Sequence, residues 1–578
     1  MPIGRFPGVE LFLCSAAGAA MLAAPAAAQQ AQAHGQTTAP DIVVDGAIEQ
    51  PSNWKRAESA HVIVTSTGSE AELVRVTNNL ERLHALMSRL YRRADKPDDT
   101  IKLQVTLIDS ANFFSAMGLR NLRSEEGPYS ASFSGQRYYD PREDGEVLAV
   151  ARTDQIVNLA TKLAEDRDMS DAIAADQEPS FMGTAARAPI ARPWEAVLYS
   201  AFAQHFMLTY LPAAYPRWYL DGVGALFSTI EVRRDGKIDY ARAPDSYRQV
   251  FRSYGDLNVG DVLTGRYLEA APGKTRWTPY HAWLLAHFFL FSNLSPERSR
   301  QFAQYMTAIQ QGTPMAEAAK IFGDLKRLQY QILAYADKTT DFARAEPPTI
   351  PGGPPLVNTL TRSSAALLDA RIELETRLAA PSADGDTAAA ARAEWIAQVR
   401  ARVAKLPFNA DAILVDAEIE CRSGYFAECR AAAERVLARS PDNVSALAWK
   451  GLALTYQALA APAAGRASAL AEARKTIASA IRIDGEAPLP QIVYFKSFTE
   501  AGERVPEQAM RGIADVARKI PAAPGPRLYL AEELVRQGQT DAARRILYPV
   551  LYGAYDSPEK KLAQSLFPAI GDAQRAGR

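Results

Sequence analysis

Between Ala345 and Pro355 the chain carries Pro347, Pro348, Pro351, Pro354 and Pro355 around Gly352 and Gly353. Proline lacks a backbone N–H and has a fixed φ, so neither a helix nor an interior strand runs through such a segment. It reads as a Pro/Gly linker over residues 341–358, and it divides the chain into two regions that each need a core. The length agrees: 578 residues exceed what one core of roughly 100–200 residues organises.

The first residues read as an address. Arg5 gives a positive start, Leu11 to Ala24 an apolar run, and Ala26-Ala27-Ala28 small residues before Gln29. This is the pattern of a secretory signal peptide over residues 1–28. The run is short for a membrane anchor, and Leu13 before Cys14 does not suit a lipoprotein signal. Export to the periplasm of a Gram-negative bacterium is the expected location. Residues 29–52, rich in Ala, Gln and Thr, read as a flexible leader.

Composition excludes several classes. With 65 Lys+Arg against 66 Asp+Glu the net charge is -1, which argues against a nucleic-acid partner. Three Cys and six His rule out Cys-rich zinc modules and disulfide-dense scaffolds. No segment of the mature chain reads as a transmembrane helix, since the apolar stretch Trp283–Phe291 is too short.

Residues 53–340 mix both periodicities. His61–Ser66, Ile101–Asp109, Tyr129–Phe133 and Glu146–Ala151 read as strands. Glu70–Arg92 places Leu73, Val76, Leu80, Leu83 and Leu90 at helical spacing. Asp154–Ala191 reads as helix, then loop. From Pro193 onward helices dominate, with a hairpin turn at Asp235-Gly236. Residues 359–578 are rich in Ala, Arg, Leu and Glu. In Phe408–Asn443, small Ala417 and Cys429 flank the turn Gly424-Tyr425, and Pro441 closes the unit. Ser445–Asp484 and Pro526–Ser557 are laid out alike. These segments resemble tetratricopeptide repeats, helix pairs that bury their apolar stripes only by stacking. An irregular helical bundle is the plainer reading.

The stretch Val197–Ile230 carries the chemical question. An HExxH zinc site puts two His on one helix face, with the intervening Glu activating a metal-bound water. Here Leu198-Tyr199 stands before the corresponding positions and His205-Phe206-Met207 follows them. Pro216-Arg217-Trp218-Tyr219-Leu220-Asp221-Gly222 and Phe227 come next. On these residues, with Trp54, His61-Val-Ile-Val, Trp283-Leu-Leu-x-His287 and Phe322-Gly-Asp-Leu325, residues 54–340 resemble bacterial peptidase-MA-like domains. These are gluzincin metallopeptidases commonly followed by tetratricopeptide repeats. The resemblance implies an α+β gluzincin-like domain joined to an all-α helical-repeat domain.

The chemistry of that family is missing. Its two ligand His correspond to Ser200 and Gln204, and its catalytic Glu to Ala201, in the sequence Ser200-Ala201-Phe202-Ala203-Gln204. Its later carboxylates correspond to Asp221 and Ala225. Ser and amide side chains are poor zinc ligands beside imidazole, and alanine is no base. The zinc the family holds is therefore expected to be lost, and no cofactor is expected. His205 and Asp221 are the residual polar residues of the old cleft. A zinc metallopeptidase with rearranged ligands is the competing reading. It would need His205, one position along the helix and about 100° round it, to join Ser200, Gln204 and Asp221. The plainer readings are a buried hydrogen-bonded His205 and an Asp221 that caps a helix or pairs with Arg217. Likewise His281 and His287, six apart, suit core packing better than chelation.

Cys421 and Cys429 fall in facing helices of the first repeat, so a disulfide across the hairpin suits an oxidising compartment. Two small residues filling a helix interface would fit the same spacing. Tyr456, Tyr494, Phe495, Lys496 and Tyr529 are candidates for lining a repeat groove or for packing between repeats. The functional expectation is a non-catalytic pseudopeptidase and scaffold or adaptor of the cell envelope, with protein or peptide partners on its repeats.

Overall fold

The computed structural model describes residues 49–94, 101–119, 137–157, 190–244, 247–248, 251, 258–269, 279–338, 342–350, 353–379, 385–554 and 557–567. The signal segment, most of the leader and the strand expected at Tyr129–Phe133 lie outside these residues.

The first layer is a mixed sheet with helices. It contains β1 (Pro51–Glu58), β2 (Val62–Ser66), α1 (Glu70–Leu90), β3 (Leu103–Ile108), α2 (Ala111–Ala116), β4 (Arg137–Arg142) and β5 (Gly145–Ala151). The Ser69 side chain accepts from the Glu72 N–H and starts α1. Glu70 and Glu72 then sit at the positive end of the helix dipole. The register β2–β3–β5 is parallel, and β4 returns antiparallel to β5. Alternation sends Leu103, Val105 and Leu107 into the main core under α1. Ile108, Val147, Ala149 and Ala151 go to a second core on the opposite face, with Phe114 and Tyr138. Every residue of β5 is buried, as in a strand covered on both faces.

Two short strands follow, β6 (Gln155–Val157) and β7 (Ile190–Arg192), paired antiparallel. The opening of the ambiguous Asp154–Ala191 segment is thus strand rather than the expected helix. Next come α3 (Trp194–Tyr210), α4 (Arg217–Phe227), β8 (Glu231–Val232), β9 (Ile238–Tyr240), α5 (Pro279–Phe291), α6 (Pro296–Gln310) and α7 (Leu325–Lys338). β8 and β9 form a hairpin turned by Gly236 at φ 80°. α3 and α5 are apolar nearly all round and form the centre of the main core with Trp218 and Trp283. α4 meets α5 closely: a Cβ on Gly222 would lie 2.6 Å from both the Ala282 carbonyl oxygen and Ala286 Cβ.

The segment 341–358 is no free tether. β10 (Ala343–Ala345) pairs with β9, and β11 (Leu356–Thr361) pairs with β1 to complete the order β11-β1-β2-β3-β5-β4. The prolines interrupt pairing only over their own run, and Leu356-Val357-Asn358-Thr359 beyond them has N–H groups to give to a strand. The leader likewise ends two residues early, because Pro51 and Ser52 already belong to β1.

The remainder is all helix: α8 (Leu368–Leu378), α9 (Gly385–Val403), α10 (Ala410–Arg422), α11 (Phe426–Leu437), α12 (Val444–Ala460), α13 (Arg466–Ile483), α14 (Pro488–Thr499), α15 (Glu507–Lys519), α16 (Pro524–Arg536), α17 (Thr540–Leu551) and α18 (Pro558–Ser565). The first two expected repeats correspond to α10–α11 and α12–α13, and the third to α16–α17. Between them stands a further pair, α14–α15. Three pairs turn alike, on Gly424, Gly502 and Gly538 at φ 85°, 67° and 77°. In each, the residue after the glycine donates to a carbonyl five residues back. Cys421 and Cys429 are disulfide-bonded across the first of these turns.

Two outcomes follow from this packing. Gly222→Ala should destabilise the protein by about 1–3 kcal/mol through overpacking, read as a lower urea midpoint; an unchanged midpoint would refute the close α4–α5 contact. Breaking the disulfide with Cys429→Ala should cost roughly 2–3 kcal/mol under non-reducing conditions, the chain-entropy figure for so short a loop. Dithiothreitol should weaken the native protein but not the variant.

Candidate functional site

Ser200, Ala201, Gln204 and His205 lie on α3, Asp221 and Ala225 on α4, and the two helices cross at Gly224. A Cβ there would lie 2.8 Å from Ser200 Oγ and 3.2 Å from Gln204 Cγ, so glycine permits the approach. Gln204 Nε2 donates to the Leu220 carbonyl and to Asp221 Oδ1, each at 3.3 Å. Asp221 Oδ2 stands 3.6 Å from Arg217 Nε one turn back. Burial raises the Asp221 carboxyl above its ordinary range, against the opposing pull of Arg217 and Arg137.

His205 is not part of this group. Its Nδ1 lies 3.2 Å from the Tyr139 hydroxyl and 3.3 Å from Thr209 Oγ1. Phe202 and Tyr210 flank its ring. Burial lowers its pKa to about 3, with the neighbouring His84 adding to the effect, so the ring is neutral. Thr209 Oγ1 also donates to Glu146 Oε1 at 3.0 Å. The single hydroxyl hydrogen is thereby used, so the contact with His205 is a bond only if Nδ1 carries the hydrogen. Glu146 is wholly buried on β5, and burial pushes its carboxyl up to about 7.

The structure therefore brings Ser200, Gln204 and Asp221 to one helix crossing and turns His205 onto a separate path, Tyr139–His205–Thr209–Glu146. Among the described residues, no group of three His, Cys, Asp or Glu side chains is arranged to hold a metal ion. Ala201, Gln204, Arg137 and Tyr139 line one side of a cavity of about 130 Å³, and Ala522, Pro524, Pro549 and Val550 of the helical region line the other.

The sequence pattern does not disclose a second buried polar group. Glu81 accepts from His61 Nδ1 at 2.7 Å, from the His61 N–H at 2.8 Å and from Ser59 Oγ at 2.6 Å. Burial alone would raise this carboxyl, but the His61 and Ser59 bonds bring it below its ordinary range. His84 stacks on His61 with ring centroids 3.6 Å apart. The apolar spacing of α1 hides these residues, because Glu81 and His84 occupy positions that a helical wheel gives equally to the flank of the core. His281 and His287 pack in α5, His287 with the Tyr335 hydroxyl at 2.6 Å and His281 against Phe251.

Of the aromatic and basic residues expected near a groove, Phe495 is buried and Tyr456 stacks on Phe426 at 4.4 Å. Lys496 and Tyr529 face the sheet instead: the Lys496 ammonium lies over the Tyr529 ring at 4.4 Å and 3.8 Å from Glu143 Oε2.

No family model matches this chain, and no curated protein matches it. A solved structure, that of a thermophilic TPR protein in Thermus thermophilus, aligns at 16% identity over 35% of this chain and 98% of that chain, with a TM-score of 0.27. At that score the alignment carries no argument, and the helix pairs rest on their own packing.

Glu146 gives a pH test. Its raised folded pKa makes its contribution most favourable at low pH, lost as pH rises from about 4.5 through 7. Glu146→Gln keeps an acceptor for Thr209 and cannot ionise. The stability of the variant relative to the native protein should rise by roughly 3 kcal/mol between pH 4.5 and pH 8. A difference that does not change with pH would show that Glu146 is not held protonated.

Proposed function

We propose that the chain is a non-catalytic scaffold of the cell envelope: an α/β region descended from a gluzincin-type peptidase, joined to stacked helix pairs that bind polypeptide. The observation that supports the non-catalytic part most is the Gln204–Asp221 hydrogen bond. It stands where the resemblance to peptidase-MA-like domains would place zinc ligands from two helices. A carboxyl that accepts from an amide and faces a guanidinium 3.6 Å away is a poor ligand for a further cation.

The zinc that the resemblance implies does not fit these residues. Ser200 and Gln204 are weak donors, Ala201 is no base, and His205 is engaged with Tyr139 and Thr209. The helix pairs support the binding part, since stacked pairs present an extended surface to other polypeptides. Export, and a place in the periplasm, rest on the signal-like segment at residues 1–28 and on a disulfide that suits an oxidising compartment.

The test is the metal content and peptidase activity of the purified mature chain, prepared without chelator or a His tag. The expected result is a folded, metal-free protein that cleaves no unfolded casein, with or without added zinc. About one zinc per chain, lost in Asp221→Ala, would overturn the proposal in favour of a secreted zinc metallopeptidase with rearranged ligands.

A further inference from the structure

The cavity of about 130 Å³ beside Gln204 lies on the seam between the α/β region and the helical region. Packed interiors hold few voids larger than a water molecule, so one of this size needs a cause. The cause is in its walls. Ala201 and Ala213 on one side meet Ala522 and Ala554 on the other, and Pro141, Pro524 and Pro549 complete the ring. Alanine has no side-chain rotamer to change and proline almost none, so these walls cannot turn inward to fill the space. Arg137, Ala213 and Ala554 are only half-buried, which leaves the cavity a way to solvent.

The lining also has a sign. Arg137 is the one charged side chain among the described lining residues. Behind Gln204, Arg217 and Arg137 both act on the carboxyl of Asp221, whose ionisation burial opposes. Two cations against one such carboxyl leave the local field positive. The size sets the other limit. An apolar cavity of about 150 Å³ takes benzene, so this one holds a body of roughly six carbons and no stretch of polypeptide.

We propose that this cavity is a binding site for a small organic acid, whose apolar body lies between the alanine and proline walls and whose carboxylate meets the Arg137 guanidinium. Apolar burial supplies affinity, and the charge-assisted pair selects an acid over its neutral analogue. Because both regions wall the cavity, the occupant bridges them, and binding stabilises their docking. This goes beyond the scaffold reading and does not depend on it.

The test is equilibrium dialysis of radiolabelled benzoate and benzamide against the full mature chain. Benzoate should bind saturably, one per chain, with a Kd below about 1 mM. Benzamide, of the same shape but uncharged, should bind at least ten-fold more weakly. Arg137→Gln should weaken benzoate at least ten-fold, and Ala522→Leu, which fills the void, should abolish binding. Near-UV circular dichroism establishes that each variant is folded. If Ala522→Leu is not, Ala213→Leu fills the void from the opposite wall; if Arg137→Gln is not, the benzamide comparison carries the charge test. No saturable benzoate binding by the native chain, benzamide bound as tightly as benzoate, or benzoate binding that survives folded Arg137→Gln or a folded filling variant would each overturn the inference.

Discussion

The central strands of the six-stranded sheet, β3 and β5, are buried on both faces, and this constraint organises the rest of the molecule. One face takes α1 and α3 through Leu103, Val105 and Leu148. The other takes α2 and, through Ile372, the first helix of the carboxy-terminal region. A sheet that offers two apolar faces needs two covering layers. The helix pairs therefore do not hang from the α/β region; they supply its second wall. The same arrangement aligns the inner surface of the helices with the β4–β5 hairpin and closes the cavity beside Gln204 with Pro524 and Pro549.

At the α3–α4 crossing Ser200 Oγ lies against Gly224, and Asp221 stands between the Gln204 amide and the Arg217 guanidinium. Further in, burial keeps His205 neutral and raises the Glu146 carboxyl to about 7.

Much of the secondary structure was legible because its signal is local. The 3.6-residue spacing of Leu73 to Leu90 and the alternation of Leu103, Val105 and Leu107 each follow from one buried face. The nearness of Gln204 to Asp221 was implied only by the resemblance, and no local pattern carries it. What escaped is what depends on distant partners. The pair α14–α15 was not singled out; Pro488 and Pro490 sit in the opening turn of α14, where proline costs little, and Pro506 immediately precedes α15. The Pro-rich run was legible as a break, but not the strand that follows it, because β11 is defined by a partner three hundred residues earlier. The burial of Glu81 against His61 escaped for the same reason.

That long reach has a kinetic side. Ser52 donates to the Leu360 carbonyl across 308 positions, and β1 lies between β2 and β11. Until Leu356–Thr361 is made and folded, one edge of β1 stands open, a row of unsatisfied N–H and C=O groups able to pair with any neighbouring chain. Closure of so large a loop slows the pairing of β11 with β1 and lengthens that exposure. The first of the described strands thus waits for a partner far along the chain, and a half-built sheet must meanwhile be kept apart from its neighbours.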